Sequence, residues 1–220
     1  MVRIQSPEKS WLASNRIELK TFSLACFLVL AMEAGCYFLL AGKMNLVNLG
    51  LLRIFQTLSV LGVVYIVNAD LQAVGLYSDQ LFSGLKRGII WSVAFAAVAG
   101  ASFLVLLAAG ISPLKLLHIR LPREPLQKVL FFMVGGLIAP VAEEIVFRGL
   151  LYGFFRKWGA LFAIVASTLL FSLAHPGVSY VQITGGIVFS ISYEKEKNMI
   201  VPITIHTLGN LALFSLSLFA

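Results

Sequence analysis

Six polar side chains with catalytic or ligand-binding chemistry lie in otherwise apolar stretches of the second half of this chain. They are two carboxylates, an arginine, two histidines and an asparagine: Glu143, Glu144, Arg148, His175, His206 and Asn210. A charged side chain at the centre of a bilayer costs roughly 2.5–3.5 kcal/mol, so these groups must face the protein interior or a water-filled cavity. Carboxylates and imidazoles in such a cavity suit general acid–base catalysis, ion binding or proton transfer.

Helical spacing divides these residues into groups. Glu144 and Arg148 are four residues apart, so on a helix they lie one turn apart and can form an ion pair. Glu143 is rotated by about 100° from its neighbour and lies on a different face, which leaves it available for chemistry. His206 and Asn210 are also four residues apart and share a face, from which both can reach one small target.

Taken singly, each of these residues has a more ordinary explanation. An isolated intramembrane His or Asn more often forms a hydrogen bond between helices, and a Glu–Arg pair is more often a structural tie or part of a transporter. Their joint occurrence on three apolar helices favours one shared site. Two other functions stay open: a transporter or proton relay, and a non-catalytic membrane protein that binds a peptide, such as an immunity protein. The chain has no inverted repeat of the kind that many transporters show.

The composition sets the environment of these helices. The chain has 220 residues, of which 59% are hydrophobic and 12% charged, and a protein of this size cannot bury that much apolar surface by itself. A membrane span needs about 20 apolar residues. We therefore expect an all-α, polytopic transmembrane bundle of about six to eight helices, forming a single membrane domain over residues 1–220. The net charge of +7 lies mainly in short polar segments, which favours membrane lipid over nucleic acid as the partner.

The hydropathy pattern predicts where the helices lie. The expected apolar segments are Phe22–Gly42, Leu46–Val67, Ile89–Ile111, Val129–Phe155, Ala160–Ala174, Val178–Ser192 and Met199–Leu218. Residues 69–88 are expected to form a surface helix or loop, 112–128 a loop at the headgroups with an exposed His118, and 193–198 a polar loop. Pro140 is expected to kink its helix, and Glu33 to form a local hydrogen bond or to be protonated. The N-terminal cations favour a cytoplasmic N-terminus.

Three short motifs follow one another in order: EEIVFR at 143–148, FSLAH at 171–175 and HTLGN at 206–210. This series resembles the CAAX-protease and bacteriocin-processing family, also called the Abi family, of glutamate-dependent intramembrane endopeptidases. The family pattern is EExxxR, then FxxxH, then HxxxN or a near variant. The resemblance covers residues 129–215, whereas residues 1–125 contain hydrophobic spans without a recognised motif.

The resemblance implies a role for each motif residue. Glu143 would be the general base that activates water, and His175 would orient that water. His206 and Asn210 would stabilise the oxyanion, and Glu144, Arg148 and Phe171 would support the site.

A zinc-dependent protease that uses Glu143, His175 and His206 as ligands is the alternative. A metal-free enzyme without a cofactor is favoured, because the chain has no HExxH motif. The resemblance implies a peptide or protein substrate that is membrane-associated, lipid-modified or marked by a C-terminal sorting tail. The small extent of the chain outside the membrane favours a prokaryotic cytoplasmic membrane.

Overall fold

A computed structural model describes residues 17–40, 43–113, 120–175 and 180–219, and these residues form an all-helical bundle. The seven helices of these ranges are α1 (Leu19–Leu40), α2 (Leu46–Asn68), α3 (Leu81–Ala108), α4 (Pro125–Phe155 in five segments), α5 (Ala160–Leu173), α6 (Tyr180–Glu196) and α7 (Ile200–Leu216). Short 3-10 turns, Gln72–Val74 and Ser78–Gln80, connect α2 to α3, and a third, Arg156–Trp158, follows α4. The predicted all-α bundle is confirmed.

Four helical stretches are long and apolar enough to cross a membrane: Leu19–Leu40, Leu46–Asn68, Ser78–Ala108 and Pro125–Trp158. Two shorter apolar helices, Ala160–Leu173 and Ile200–Leu216, pack beside them. Large apolar side chains on the outside of α1 and α2, such as Phe38 and Ile66, are mostly exposed, as suits a surface in contact with lipid. The protein is an integral membrane protein, as its composition predicts.

Two carboxylates near the end of α6 form hydrogen bonds with residues of α3 and α4 at one end of the bundle. Glu194 accepts hydrogen bonds from Arg156 and from Tyr152 at the end of α4. Glu196 accepts hydrogen bonds from Arg87 and Trp91 of α3. The predicted polar loop 193–198 is therefore wrong over residues 193–196. The helix continues to Glu196, where its charged residues have partners on the neighbouring helices.

The predicted span Ile89–Ile111 begins too late, because α3 begins at Leu81. Gly84 and Gly88 lie in the first two turns of α3 and allow close packing against a neighbouring helix. A Cβ atom at Gly88 would lie 2.5 Å from Thr204 of α7. The predicted loop 112–128 is likewise too long, since α4 begins at Pro125, a residue that favours the first turn of a helix.

Glu33 has a partner on another helix, contrary to the expected local hydrogen bond. Arg53 of α2 donates to its carboxylate at 2.5 Å, and Gln56 donates to the same oxygen at 3.0 Å. The polar residues of the first two spans thus neutralise each other across the α1–α2 interface. The exposed His118 lies outside the described ranges, as do Arg3, Lys9 and Arg16, three of the four cations on which the orientation is based; the fourth, Lys20, lies in α1.

Candidate active site

Helix α4 contains two π-helical segments, Val134–Ile138 and Ile145–Tyr152, which flank the two glutamates. In the first of them the N–H of Ala139 donates to the carbonyl of Val134, five residues earlier. Single π turns inside α-helices are frequent at functional sites. The irregularity expected at Pro140 therefore takes the form of a π turn that ends just before this proline.

Asn210 of α7 contacts this π turn. Its side-chain nitrogen donates to the carbonyl of Gly135 at 2.9 Å. In the π register the partner of this carbonyl would be residue 140, which is a proline and has no N–H. The carboxamide of Asn210 thus supplies the donor that the proline lacks, and it retains a second N–H.

Glu144 and Arg148 form the ion pair that their spacing predicts. The distance between Glu144 Oε1 and Arg148 Nη1 is 3.0 Å, and both side chains are completely buried. Arg148 also donates to the carbonyl of Gly186 on α6, at 3.1 Å. Its guanidinium carbon lies 4.7 Å from the ring centre of Phe171 and 5.1 Å from that of Phe189, at distances typical of cation–π contacts.

His206 is held by polar and aromatic contacts at the same time. Its Nδ1 lies 2.7 Å from Glu144 Oε1. Its ring stacks on Phe189, with the ring centres 4.5 Å apart and the planes inclined by 19°. Because the ionised carboxylate only accepts, Nδ1 carries the proton of this hydrogen bond and Nε2 points to the other side of the ring.

His175 lies just beyond the end of α5 and is oriented by its own chain. Its Nδ1 is 2.8 Å from the carbonyl of Phe171, which can only accept a hydrogen bond. The proton of this hydrogen bond is therefore on Nδ1, which leaves Nε2 as the nitrogen with the lone pair whenever the ring carries a single proton. The FxxxH spacing thus has a direct structural meaning, since Phe171 holds the imidazole through its backbone and contacts Arg148 through its ring.

Glu143 lies between the two histidines. Its Oε2 is 3.8 Å from His175 Nε2 and 3.6 Å from His206 Nε2, and its side chain is 17% exposed. These separations are too long for direct hydrogen bonds. They leave room for a water molecule that contacts the carboxylate and an imidazole together. The structure therefore brings Glu143, His175 and His206 together, and it places Asn210 against the π turn of α4.

The same three residues are the set expected to bind zinc in the alternative enzyme. Both Nδ1 atoms are engaged with oxygen acceptors, an arrangement that metal-binding histidines commonly show. Within the described ranges, however, no group of three His, Cys, Asp or Glu side chains has the arrangement needed to hold a metal ion. The zinc alternative stays an untested prediction.

Sequence reasoning missed the contribution of α6 to the site. Gly186 provides the carbonyl that accepts from Arg148, and Phe189 provides the ring beneath His206. A Cβ atom at Gly186 would lie 2.9 Å from Thr168 of α5, so a larger residue would force the two helices apart. The Gly185–Gly186 pair was the one available signal, because small residues mark close helix contacts in membranes.

Comparison with known proteins gives matches in the same part of the chain. Residues 125–212 match the family model described as "Type II CAAX prenyl endopeptidase Rce1-like". The "Membrane-embedded CAAX protease MroQ" of Staphylococcus aureus (strain USA300) is 32% identical over 90 residues, 37% of this chain and 36% of that protein. The "Putative membrane peptidase YdiL" of Bacillus subtilis (strain 168) is 29% identical over 84 residues, 37% of this chain and 34% of that protein.

These matches confirm the family resemblance drawn from the three motifs, over residues 125–212. The chain matches only about a third of the length of these curated relatives. No solved structure gives a significant match.

Proposed function

We propose that this protein is an intramembrane endopeptidase, on the premise that residues 125–212 match the Rce1-like family of CAAX endopeptidases. The main observation in support is the position of Glu143 Oε2, which lies 3.6 and 3.8 Å from the Nε2 atoms of His206 and His175. This group has the composition and spacing of a site that activates water. Its substrate would be a peptide bond of a membrane-associated or lipid-modified protein.

Glu143 would act as the general base. A water molecule within hydrogen-bonding distance of its Oε2 can also donate to the lone pair of His175 Nε2, because the hydrogen bond to Phe171 holds the proton on Nδ1. Glu143 then takes a proton as the water oxygen attacks the carbonyl carbon, and it delivers that proton to the leaving amine. The surrounding apolar helices exclude other water from this step.

His206 and Asn210 would stabilise the negative charge that develops on the carbonyl oxygen. A proton on His206 Nε2 would turn that ring into a donor on both nitrogens, with Glu144 accepting from Nδ1 at 2.7 Å. The N–H of Asn210 that does not contact Gly135 is a second donor. Preorganised donors of this kind are worth about 3–4 kcal/mol each in the transition state.

Glu144 and Arg148 would position these groups without contacting the substrate. The buried ion pair would fix the direction of the His206 ring, because Glu144 Oε1 contacts both Arg148 Nη1 and His206 Nδ1. In other hydrolases, too, a carboxylate that accepts a hydrogen bond from Nδ1 orients the ring of the catalytic histidine.

The zinc-dependent alternative would use Glu143, His175 and His206 as ligands, and the metal ion would lower the pKa of a bound water. Chelation separates the two enzymes. We expect the purified protein to retain its cleavage rate after prolonged dialysis against EDTA or 1,10-phenanthroline. Loss of activity that returns on addition of zinc, together with zinc retained by the purified protein in elemental analysis, would show the metalloprotease instead.

The substitution Glu143→Gln tests the proposal directly. In proteoliposomes, cleavage of a farnesylated CAAX peptide or of a membrane-anchored leader peptide should fall by about 10²–10⁴-fold, as expected for loss of a general base. The melting temperature should not change, because the contacts of Glu143 with the histidines are longer than hydrogen bonds.

The matched control is Glu33→Gln, which removes an intramembrane carboxylate that pairs with Arg53 on the α1–α2 side. Its cleavage rate should stay close to that of the wild type. Equal rates for the wild type and Glu143→Gln would contradict the proposal. Substrate binding without cleavage by the wild type would favour the peptide-binding alternative.

A further inference from the structure

Four buried polar atoms have no hydrogen-bond partner among the described residues: Glu144 Oε2, Arg148 Nε, Thr168 Oγ1 and Ser172 Oγ. The four side chains are between 0% and 4% exposed. Each such atom destabilises the fold if it stays unpaired away from water. Each one therefore requires an explanation of its own.

The other buried hydroxyl groups of the described residues show that this condition is unusual. Five of them have partners within the protein: Thr21, Ser167, Ser190, Ser192 and Thr204. Ser167 lies next to Thr168 on α5 and contacts both Ser190 and the carbonyl of Ile164. The two unpaired hydroxyls therefore do not reflect a general feature of the helices.

Three of the four atoms belong to side chains at the contact between α4, α5 and α6: those of Arg148, Thr168 and Ser172. Arg148 donates to the carbonyl of Gly186, and the Cβ position of Gly186 is 2.9 Å from Thr168 Cγ2. Ser172 follows Thr168 by one helical turn, next to Phe171, whose ring lies over the Arg148 guanidinium. Three of the unpaired atoms thus belong to side chains at one helix contact, and the fourth belongs to Glu144, the ion-pair partner of Arg148.

Their chemistry is complementary to that of water. The Arg148 Nε–H is a donor, Glu144 Oε2 is an acceptor, and each hydroxyl can donate and accept. A buried water molecule needs two to four polar partners, which this group can provide. Thr168, Ser172 and His175 follow one another along one side of α5, so the same helix connects this region with the imidazole that faces Glu143.

We propose that ordered water occupies the region bounded by Glu144, Arg148, Thr168 and Ser172, and that it replenishes the water used at Glu143. The second part rests on the proposed peptidase function. Each turnover consumes one water molecule, and a bound substrate would cover the open side of the site, where the side chains of Glu143 and His175 are 17% and 25% exposed. A polar region that leads along α5 to His175 provides a source that does not require the substrate to leave.

The substitutions Thr168→Val and Ser172→Ala test the water site through the sign of their effect on stability. If the region holds water, each substitution removes a hydrogen bond, and the melting temperature falls by about 2–4 °C. If the region is dry, each one removes an unpaired buried hydroxyl, and the melting temperature rises. Ser167→Ala is the control for a buried serine of the same helix that already has partners.

The double variant T168V/S172A tests the supply of water. We expect kcat to fall about tenfold with an unchanged KM, because the substrate site keeps its contacts and only the hydrolytic step is affected. Ser167→Ala should leave kcat near the wild-type value. A raised melting temperature or an unchanged kcat in T168V/S172A would overturn the proposal.

The two proposals fail in different ways. If the wild type cleaves none of the peptides, the peptidase function fails, and the sign of the melting-temperature shift still decides whether water is bound. If the wild type cleaves and the double variant is more stable, the water site alone is refuted.

Discussion

Adjacent glutamates on α4 occupy opposite environments, although their sequence context is almost the same. The side chain of Glu144 is fully buried between Arg148 and His206, whereas Glu143 keeps 17% of its side-chain surface exposed. The rotation of about 100° between neighbouring helical residues accounts for the difference. One carboxylate can therefore hold the site together while the other is free to react.

This contrast leads to a prediction for Glu144→Gln. The neutral amide leaves the buried Arg148 charge without its counter-ion, and removing one partner of a buried pair typically costs about 3–5 kcal/mol. We expect a much lower melting temperature than for Glu143→Gln, measured by differential scanning fluorimetry in the same detergent. Equal stability of the two variants would show that the ion pair does not stabilise the fold.

At the scale of elements, the π turn of α4 and helix α7 depend on each other. Pro140 cannot supply an N–H to the carbonyl of Gly135, and Asn210 supplies it from α7. The HxxxN motif therefore has two consequences in this fold. His206 contacts the glutamates, and Asn210 stabilises the backbone geometry that precedes them.

A double-mutant cycle between Asn210 and Pro140 tests this dependence. Asn210→Ala should lower the free energy of unfolding by about 1–2 kcal/mol, because the carbonyl of Gly135 loses its donor. In a Pro140→Ala background, residue 140 has an N–H of its own, so the same substitution should cost less. The cycle is measured by reversible unfolding in mixed micelles.

Additive effects of the two substitutions would contradict the dependence. They would indicate that Asn210 stabilises α7 independently of the π turn. A role of Asn210 in catalysis would then be tested by measuring the cleavage rates of the same variants.

At the scale of the whole molecule, the basic residues of three segments gather at one end of the bundle. Arg87 at the start of α3 and Arg156 at the end of α4 both pair with glutamates at the end of α6. Lys86, Lys157 and Lys195 lie beside them in sequence. From the positive-inside rule we predict that this end lies in the cytoplasm. His175 lies beyond the far end of the 14-residue helix α5, about 20 Å from the basic end.

Cysteine labelling in whole cells tests this orientation. In a background with Cys26 and Cys36 replaced by alanine, Lys195→Cys should resist a membrane-impermeant maleimide until the cells are opened. Lys43→Cys, between α1 and α2 at the opposite end, should react from outside. The reverse pattern would invert the topology, and it would place the active site in the cytoplasmic half of the membrane.

Local patterns in the sequence determined the fold class, the approximate helix positions, the Glu144–Arg148 pair and the three motifs that carry the family resemblance. These features depend on composition and on the helical repeat, which are properties of neighbouring residues. The start of α3 and the end of α6 could not be placed correctly from hydropathy, because their polar residues gain partners on other helices.

Tertiary packing alone decided which nitrogens face the site. The stacking of His206 on Phe189, the donor from Asn210 to Gly135 and the contact of Glu33 with Arg53 join residues that are distant in the sequence. Each contact depends on how one helix is rotated and displaced against another. Those rotations are set by packing throughout the bundle, including the close approach at Gly186, and no local periodicity encodes them.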